Sequence, residues 1–316
     1  MGLGEVNPEE EYERLRTLEA CFQYSINNLD ETLKQLLPKL TLFKSPFPIT
    51  AASEIFKVDK ANIINLYNRS LLTRIESDVI YGKMKDPEYL LYNIHPALQN
   101  YLQKMLDKVG ARNLEFEYGE KYSNYYYNLV WGTYNAIGKK KDEHLQSLAR
   151  FNIIFQGETN DFDRAAEIAK DRSRKAEILR ALSQILSGLG ILSKSLEYGK
   201  RSLEVHREIN DTVGMTADYT NIGVVLSKMG RLQEALDSHN KALEIHKELN
   251  DLVGLAGDYY NISFVLYKQT KNKEKALESL YDALTILQEF EKQNNYHHPL
   301  IEQVNDRISY LKEEEG

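Results

Sequence analysis

The feature that most constrains this chain is a self-similarity spaced forty residues apart. LEVHREINDTVGMTADYTNIGVVLSKMG, starting at Leu203, aligns with LEIHKELNDLVGLAGDYYNISFVLYKQT, starting at Leu243. The alignment pairs Asn210-Asp211 with Asn250-Asp251, Val213-Gly214 with Val253-Gly254, Asp218-Tyr219 with Asp258-Tyr259, and Asn221 with Asn261. Another forty residues back, Leu182, Leu186, Gly190 and Leu196 fall under Ile222, Leu226, Gly230 and Leu236, a more divergent third copy. One such unit cannot bury its apolar face alone, so the copies must stack on one another.

Each unit reads as two helices joined by a turn. In the middle copy Tyr219, Ile222, Gly223 and Leu226 recur at helical spacing, and Met229-Gly230-Arg231 breaks the run. Ala235, His239 and Ala242 face back from the second helix, small where the pair must approach closely. Asp211 and Asp251 are predicted N-caps of the helices that follow them. His206 and His246 recur only because the repeat does.

These units resemble the tetratricopeptide repeat (TPR) in its longer form, and Gly-Arg-Leu-Gln-Glu-Ala-Leu, residues 230–236, is close to that family's consensus. The resemblance covers roughly residues 174–290. DFDRAAEIA, around Ala165, reads as an eroded helix ahead of it. Ile301–Leu311, after the His297-His298-Pro299 break, reads as a polar capping helix. The resemblance implies an α-α superhelix whose concave groove binds a protein or peptide ligand. Groove positions by the family pattern are Thr220, Asn221, Val224, Ser227 and Lys228 in one repeat, and Tyr260, Asn261, Phe264, Tyr267 and Lys268 in the next. Asn221 and Asn261 either grip a ligand's main chain through their amides or satisfy neighbouring helix ends. A carboxylate clamp for chaperone tails is disfavoured, since it needs Lys at the Thr220/Tyr260 position and Asn at the Val224/Phe264 position. The groove reads instead as aromatic and neutral, suited to an amphipathic helix or a partly apolar segment.

The run from Gly188 to Ser195, GLGILSKS, differs from a phosphate-binding P-loop only by Ser193 in place of the second glycine. It follows no strand and falls at a turn of the repeat, so nucleotide binding is not expected there. No catalytic constellation and no metal-ligand spacing is present; His297-His298 lacks a second ligand cluster. Tyr118, Tyr122, Tyr125 and Leu129 follow helical spacing and read as packing.

Before the repeats the pattern is helical and then mixed. RLRTLEACFQYSINNL, DETLKQLLPKLTLF, ITAASEIF and DKANIINLYNRSLL are predicted helices, the last three started by Asp30, Thr50 and Asp59. LLTRIES and YLLYNIH are predicted strands of a hairpin. Pro96 then opens a helix, which places His95 at or near its N-cap, where an imidazole can donate one hydrogen bond to an anion or simply orient the helix.

LEACFQYSINNL, LPKLTLFKSPFPITAASEIF, INLYNRSLL and YNIHPALQNYL together resemble the winged-helix domain of STAND-class signal-transduction ATPases. HLQSLARFNIIFQGETNDFDRAAEIA is similar to the helical connector that precedes their repeats. The resemblance implies a mainly α chain: an acidic tail over 1–12, unfolded or added in cloning, a winged helix over 13–110, a connector with a degenerate repeat over 111–173, and a TPR array with its capping helix over 174–316. In that family a histidine at the strand-to-helix junction faces the β-phosphate of ADP, and by position it is His95, although Pro96 stands where the family commonly has an acid. No P-loop or parallel α/β pattern precedes residue 13, so the nucleotide-binding domain is expected to be absent from this chain. ADP or ATP, and a nucleotide-binding domain of the same or a separate protein, are then expected as partners only of a complete ATPase.

Charge bears on the competing reading, a DNA-binding regulator. Net charge is −7 overall, yet residues 14–112 carry fourteen Lys and Arg against ten Asp and Glu. Lys60, Asn65, Asn68 and Arg69 on the fourth helix and Lys83 and Lys85 on the wing favour this reading. These charges are too sparse and too interleaved with acids for phosphate neutralisation, so nucleic acid is disfavoured. One cysteine, Cys21, and the absence of a signal peptide or a spanning apolar run point to the cytoplasm with no membrane partner.

Overall fold

A computed structural model describes residues 8–75, 90–136, 151, 160–271 and 273–313. It is mainly α-helical, and its internal contacts divide it into two units, residues 1–170 and 171–316.

The first unit opens with α1 (Pro8–Asn27), α2 (Glu31–Lys39) and a 3-10 turn over Leu40–Leu42. There follow β1 (Phe47–Pro48), α3 (Ile49–Phe56), α4 (Lys60–Asn68), β2 (Leu72–Ile75) and β3 (Leu91–Ile94). The Asp30 side chain accepts from the Leu33 N–H and Asp59 from the Ala61 N–H, each satisfying a donor that the first turn leaves open. Thr50 does not start its helix. Pro48 is the N-cap of α3 without a side-chain bond, and the Thr50 hydroxyl is buried inside, 3.0 Å from the Tyr125 hydroxyl. The strand order is β1-β3-β2, both pairings antiparallel, with Leu72 opposite Ile94 and Phe47 opposite Tyr92. Leu33, Leu36, Leu37, Ile49, Ile55, Ile63 and Leu66 are fully enclosed between helices and sheet. Each such side chain contributes about 1.5–3 kcal/mol on burial. Lys83 and Lys85, and most of the expected connector between 137 and 159, lie outside the described residues.

From Pro96 a single helix, α5, runs 41 residues to Ala136, straight through the domain boundary expected at 110. Gly110 falls inside it without breaking it, because a lone glycine costs a helix only about 1 kcal/mol. The tyrosine stripe of α5 is core: Tyr118, Tyr122, Tyr125 and Tyr126 are buried. The short α6 (Asn160–Glu167) packs there through Phe162, whose ring centroid lies 5.2 Å from that of Tyr126. Its Asp161 carboxylate, 4% exposed, accepts the Lys44 N–H at 2.6 Å, the Ser45 N–H at 3.0 Å and the Tyr122 hydroxyl.

The second unit is an array of antiparallel helix pairs: α7 (Arg172–Gly188) with α8 (Leu192–Glu208), α9 (Thr212–Lys228) with α10 (Leu232–Leu249), and α11 (Leu252–Thr270) with α12 (Lys273–Asn294). A last helix, α13 (Leu300–Glu313), covers the end by burying Ile301, Val304, Ile308 and Leu311. The turns repeat as the sequence does. Gly190 and Gly230 take φ of 77° and 79° inside their pairs, a conformation in which a Cβ is strained, and Asn210 and Asn250 take φ of 56° and 53° between pairs. The side chains of Asp211 and Asp251 accept from the N–H groups of Gly214 and Gly254, as N-caps.

Candidate functional site

Neighbouring repeats meet at a recurrent polar joint. His206 of α8 places Nδ1 2.6 Å from Asp218 Oδ2 of α9, and Ser202 donates to the same carboxylate at 2.9 Å. Forty residues on, His246 Nδ1 lies 2.7 Å from Asp258 Oδ2, and Thr220 donates to Asp258 Oδ1 at 2.9 Å. His239 Nδ1 stands 3.6 Å from that same oxygen. The rings of His206 and His246 fill the space over Gly214 and Gly254, where a Cβ would overlap them. Burial pushes the Asp218 carboxyl above its ordinary range, and one histidine and one serine only partly offset it. Burial acts on Asp258 too, but His239, His246 and Thr220 together outweigh it and hold that carboxyl below its ordinary range. His206 and His246 therefore have a role that periodicity alone did not expose; the visible signal is a histidine twelve residues before an aspartate, with a glycine between them.

The expected groove residues divide. Ser227, Lys228, Phe264, Tyr267 and Lys268 line one pocket of about 340 Å³, together with Lys271 at the C-cap of α11 and Arg307 of α13. Tyr260 stands against Phe264 edge to face, centroids 5.0 Å apart. Thr220 is turned into the joint, bonded to Asp258. Asn221, Val224 and Asn261 are half-buried. Nδ2 of Asn221 is enclosed and has no hydrogen-bond acceptor among the described residues.

The expectation of a neutral groove is corrected by Arg307. Its guanidinium lies 4.3 Å from the Phe264 ring centroid, 4.9 Å from that of Tyr310 and 5.5 Å from that of Tyr267, so the rings serve to hold a cation. Lys268 reaches back one repeat to donate to the Ser227 carbonyl at 2.6 Å, and Lys228 does the same to the Ser187 carbonyl at 3.2 Å. Sequence reasoning missed Arg307 and Lys271, because one lies on the capping helix outside the forty-residue period and the other at a helix end.

His95 is the N-cap of α5. Its carbonyl accepts from the Gln99 N–H at 2.9 Å and its Nδ1 from the Ala97 N–H at 3.2 Å, which leaves Nε2–H as the ring's donor. The side chain is exposed. The P-loop-like run spans the turn between α7 and α8 and the start of α8, where Ser195 is buried and donates to the Ser183 carbonyl at 2.7 Å. Among the described residues no group of three or more His, Cys, Asp or Glu could hold a metal ion, and no helix is long and apolar enough to cross a membrane.

The paired helices, their left-handed turns and the forty-residue joint describe one repeat type. Residues 215–289 match the tetratricopeptide repeat family. The match takes in the second half of the first well-matched copy and all of the next, with every pocket residue except Arg307. No curated protein matches the chain in sequence. Among solved structures, BtubC (BKLC) from P. vanneervenii is 14% identical, with a TM-score of 0.44, over 62% of this chain and 83% of that one. Aspartyl phosphate phosphatase F from Bacillus subtilis is 16% identical, with a TM-score of 0.43, over 99% and 73%. A STAND protein with a tetratricopeptide repeat sensor from Pyrococcus horikoshii is 16% identical, with a TM-score of 0.36. The match takes in 92% of this chain and about half, 48%, of that protein.

Proposed function

We propose that the chain is a non-enzymatic regulatory module. Its TPR groove senses a protein or peptide, and residues 13–110, acting as a winged helix, relay the event to a nucleotide-binding domain of STAND type on the same or a separate chain. The observation that carries the sensing half is the convergence of Ser227, Lys228, Phe264, Tyr267 and Lys268, from two successive repeats, on one pocket. Support for the relay half is local: helices with a small sheet ordered β1-β3-β2, and His95 at the junction of β3 and α5. Its Nε2–H is a donor suited to a phosphate oxygen, and ADP or ATP belongs with the nucleotide-binding domain rather than with this chain. The exposed thiol of Cys21 suits a reducing compartment, and we place the protein in the cytoplasm.

A trigger moves such a switch only by binding one state better than the other, by about 5.5 kcal/mol to go from 1:99 to 99:1. Contacts along a whole groove reach that figure; one side chain does not. The test is capture of partners from native lysate by the wild type beside an Asn221→Ala/Asn261→Ala/Phe264→Ala variant, with helicity checked by circular dichroism. A partner retained by the wild type and lost by the folded variant supports the reading. Equal retention by both proteins places the binding surface elsewhere.

A further inference from the structure

We infer that the pocket between α9, α11 and α13 takes a run of acidic side chains from an extended peptide, with Arg307 as its central cation. The inference rests on the groove being a peptide site and names the ligand's chemistry. Lys228 of α9, Lys268 and Lys271 of α11 and its C-cap, and Arg307 of α13 line the pocket, and no acidic side chain is among the residues that line it. Asp306 precedes Arg307 on α13, and both act electrostatically on Tyr260. No ion pair of Arg307 is found among the described residues, and its Nε is enclosed without a hydrogen-bond partner. Phe264, Tyr267 and Tyr310 fix the guanidinium plane, which reduces the side-chain entropy lost when it pairs with a ligand. Lys228 is held by the carbonyl and hydroxyl of Ser187 and Lys268 by the Ser227 carbonyl, and an ammonium so held keeps at least one N–H for a ligand.

Four cations on three helices match several carboxylates rather than a single chain terminus. Arg307 lies against the rings that line the pocket, which puts a charge where an apolar ligand group would otherwise pack. The whole chain is acidic, with a net charge of −7, so this basic pocket stands against the general field and selects for position rather than bulk attraction.

The experiment is an array of short peptides in which Glu content, aromatic content and C-terminal amidation vary independently, probed with the full chain at low and high salt. Capture rises with Glu content whether or not the terminus is amidated. It falls about tenfold in Arg307→Gln and in Lys268→Gln, the worth of one charge-assisted pair. Arg307→Lys, which keeps the charge, retains part of it, and thermal melts confirm that each variant is folded. Capture independent of Glu content, yet lost in the Asn221→Ala/Asn261→Ala/Phe264→Ala variant, overturns the acidic inference and leaves the groove reading standing. Capture that requires a free C-terminus, or a single-stranded DNA oligomer that displaces acidic peptides and depends on Arg307, also overturns it. No capture of any peptide overturns both readings.

Discussion

Asp258 Oδ2 and His246 Nδ1 lie 2.7 Å apart across the boundary between two repeats, with the carboxylate wholly enclosed. The same contact forty residues earlier, His206 with Asp218, holds a carboxyl whose ionisation shifts in the opposite direction. The difference lies in the neighbours: the second joint gains His239 and exchanges a serine for a threonine on the preceding first helix.

This asymmetry sets the pH response. A carboxyl lowered on folding, Asp258, contributes stability above its unfolded value, and that contribution is lost as pH falls through the folded value. A carboxyl raised on folding, Asp218, binds protons more readily when folded, so its effect on stability grows more favourable as pH falls from the folded toward the unfolded value. Asp258→Ala is therefore expected to cost about 3 kcal/mol at neutral pH and to flatten the acid limb of the stability profile. Asp218→Asn costs less at neutral pH and removes a gain on mild acidification. Urea titrations across a pH series measure both.

Two glycines in α11 separate packing from helix propensity. Gly254 lies under the His246 ring, and a Cβ there overlaps it, whereas nothing lies within 4 Å of a Cβ at Gly257. Gly254→Ala is expected to destabilise by about 1–3 kcal/mol through overpacking, and Gly257→Ala to stabilise by about 1 kcal/mol through propensity. Equal shifts in the midpoint of chemical unfolding would refute the joint.

Asp161→Ala removes the acceptor of two backbone N–H groups and of the Tyr122 hydroxyl in the first unit. Leaving such donors enclosed costs about 1–3 kcal/mol each. Amide exchange localises the effect: protection is expected to fall at Lys44 and Ser45 while the amides of 171–316 keep theirs.

Lys268→Met removes the charge-assisted bond to the Ser227 carbonyl, at an exposed position, for an expected loss of about 1 kcal/mol. Lys228 bonds both the carbonyl and the hydroxyl of Ser187, so Lys228→Met is expected to lose at least as much, and calorimetry of both against the wild type checks the order.

The array was legible because its turns and caps are written in residues with one conformational meaning: Gly230 for a left-handed turn, Asp211 and Asp251 for helix starts. Asp30 and Asp59 were legible for the same reason. Thr50 was misread because a threonine before an apolar run looks like a cap, while Pro48 had already set the chain's direction. The α5 helix crosses residue 110, where a domain boundary was expected, because no local residue there forbids helix. At the site, repeat spacing located the side chains of α9 and α11 but carried nothing about Arg307, whose position is fixed only by tertiary packing of the last helix. Thr220 shows the converse: its register was right, but an enclosed carboxylate one repeat away claimed its hydroxyl.

The joint also makes the array a set of interchangeable cassettes. Excision of residues 211–250 would bring His206 beside Asp251, Gly254 and Asp258, the partners its counterpart His246 already has, and insertion of another such segment would restore the same seam twice. The histidine, the glycine beneath it and the aspartate are therefore kept when the array changes by one forty-residue unit, while Asp258 would exchange His239 and Thr220 for Ser202 as its further partners.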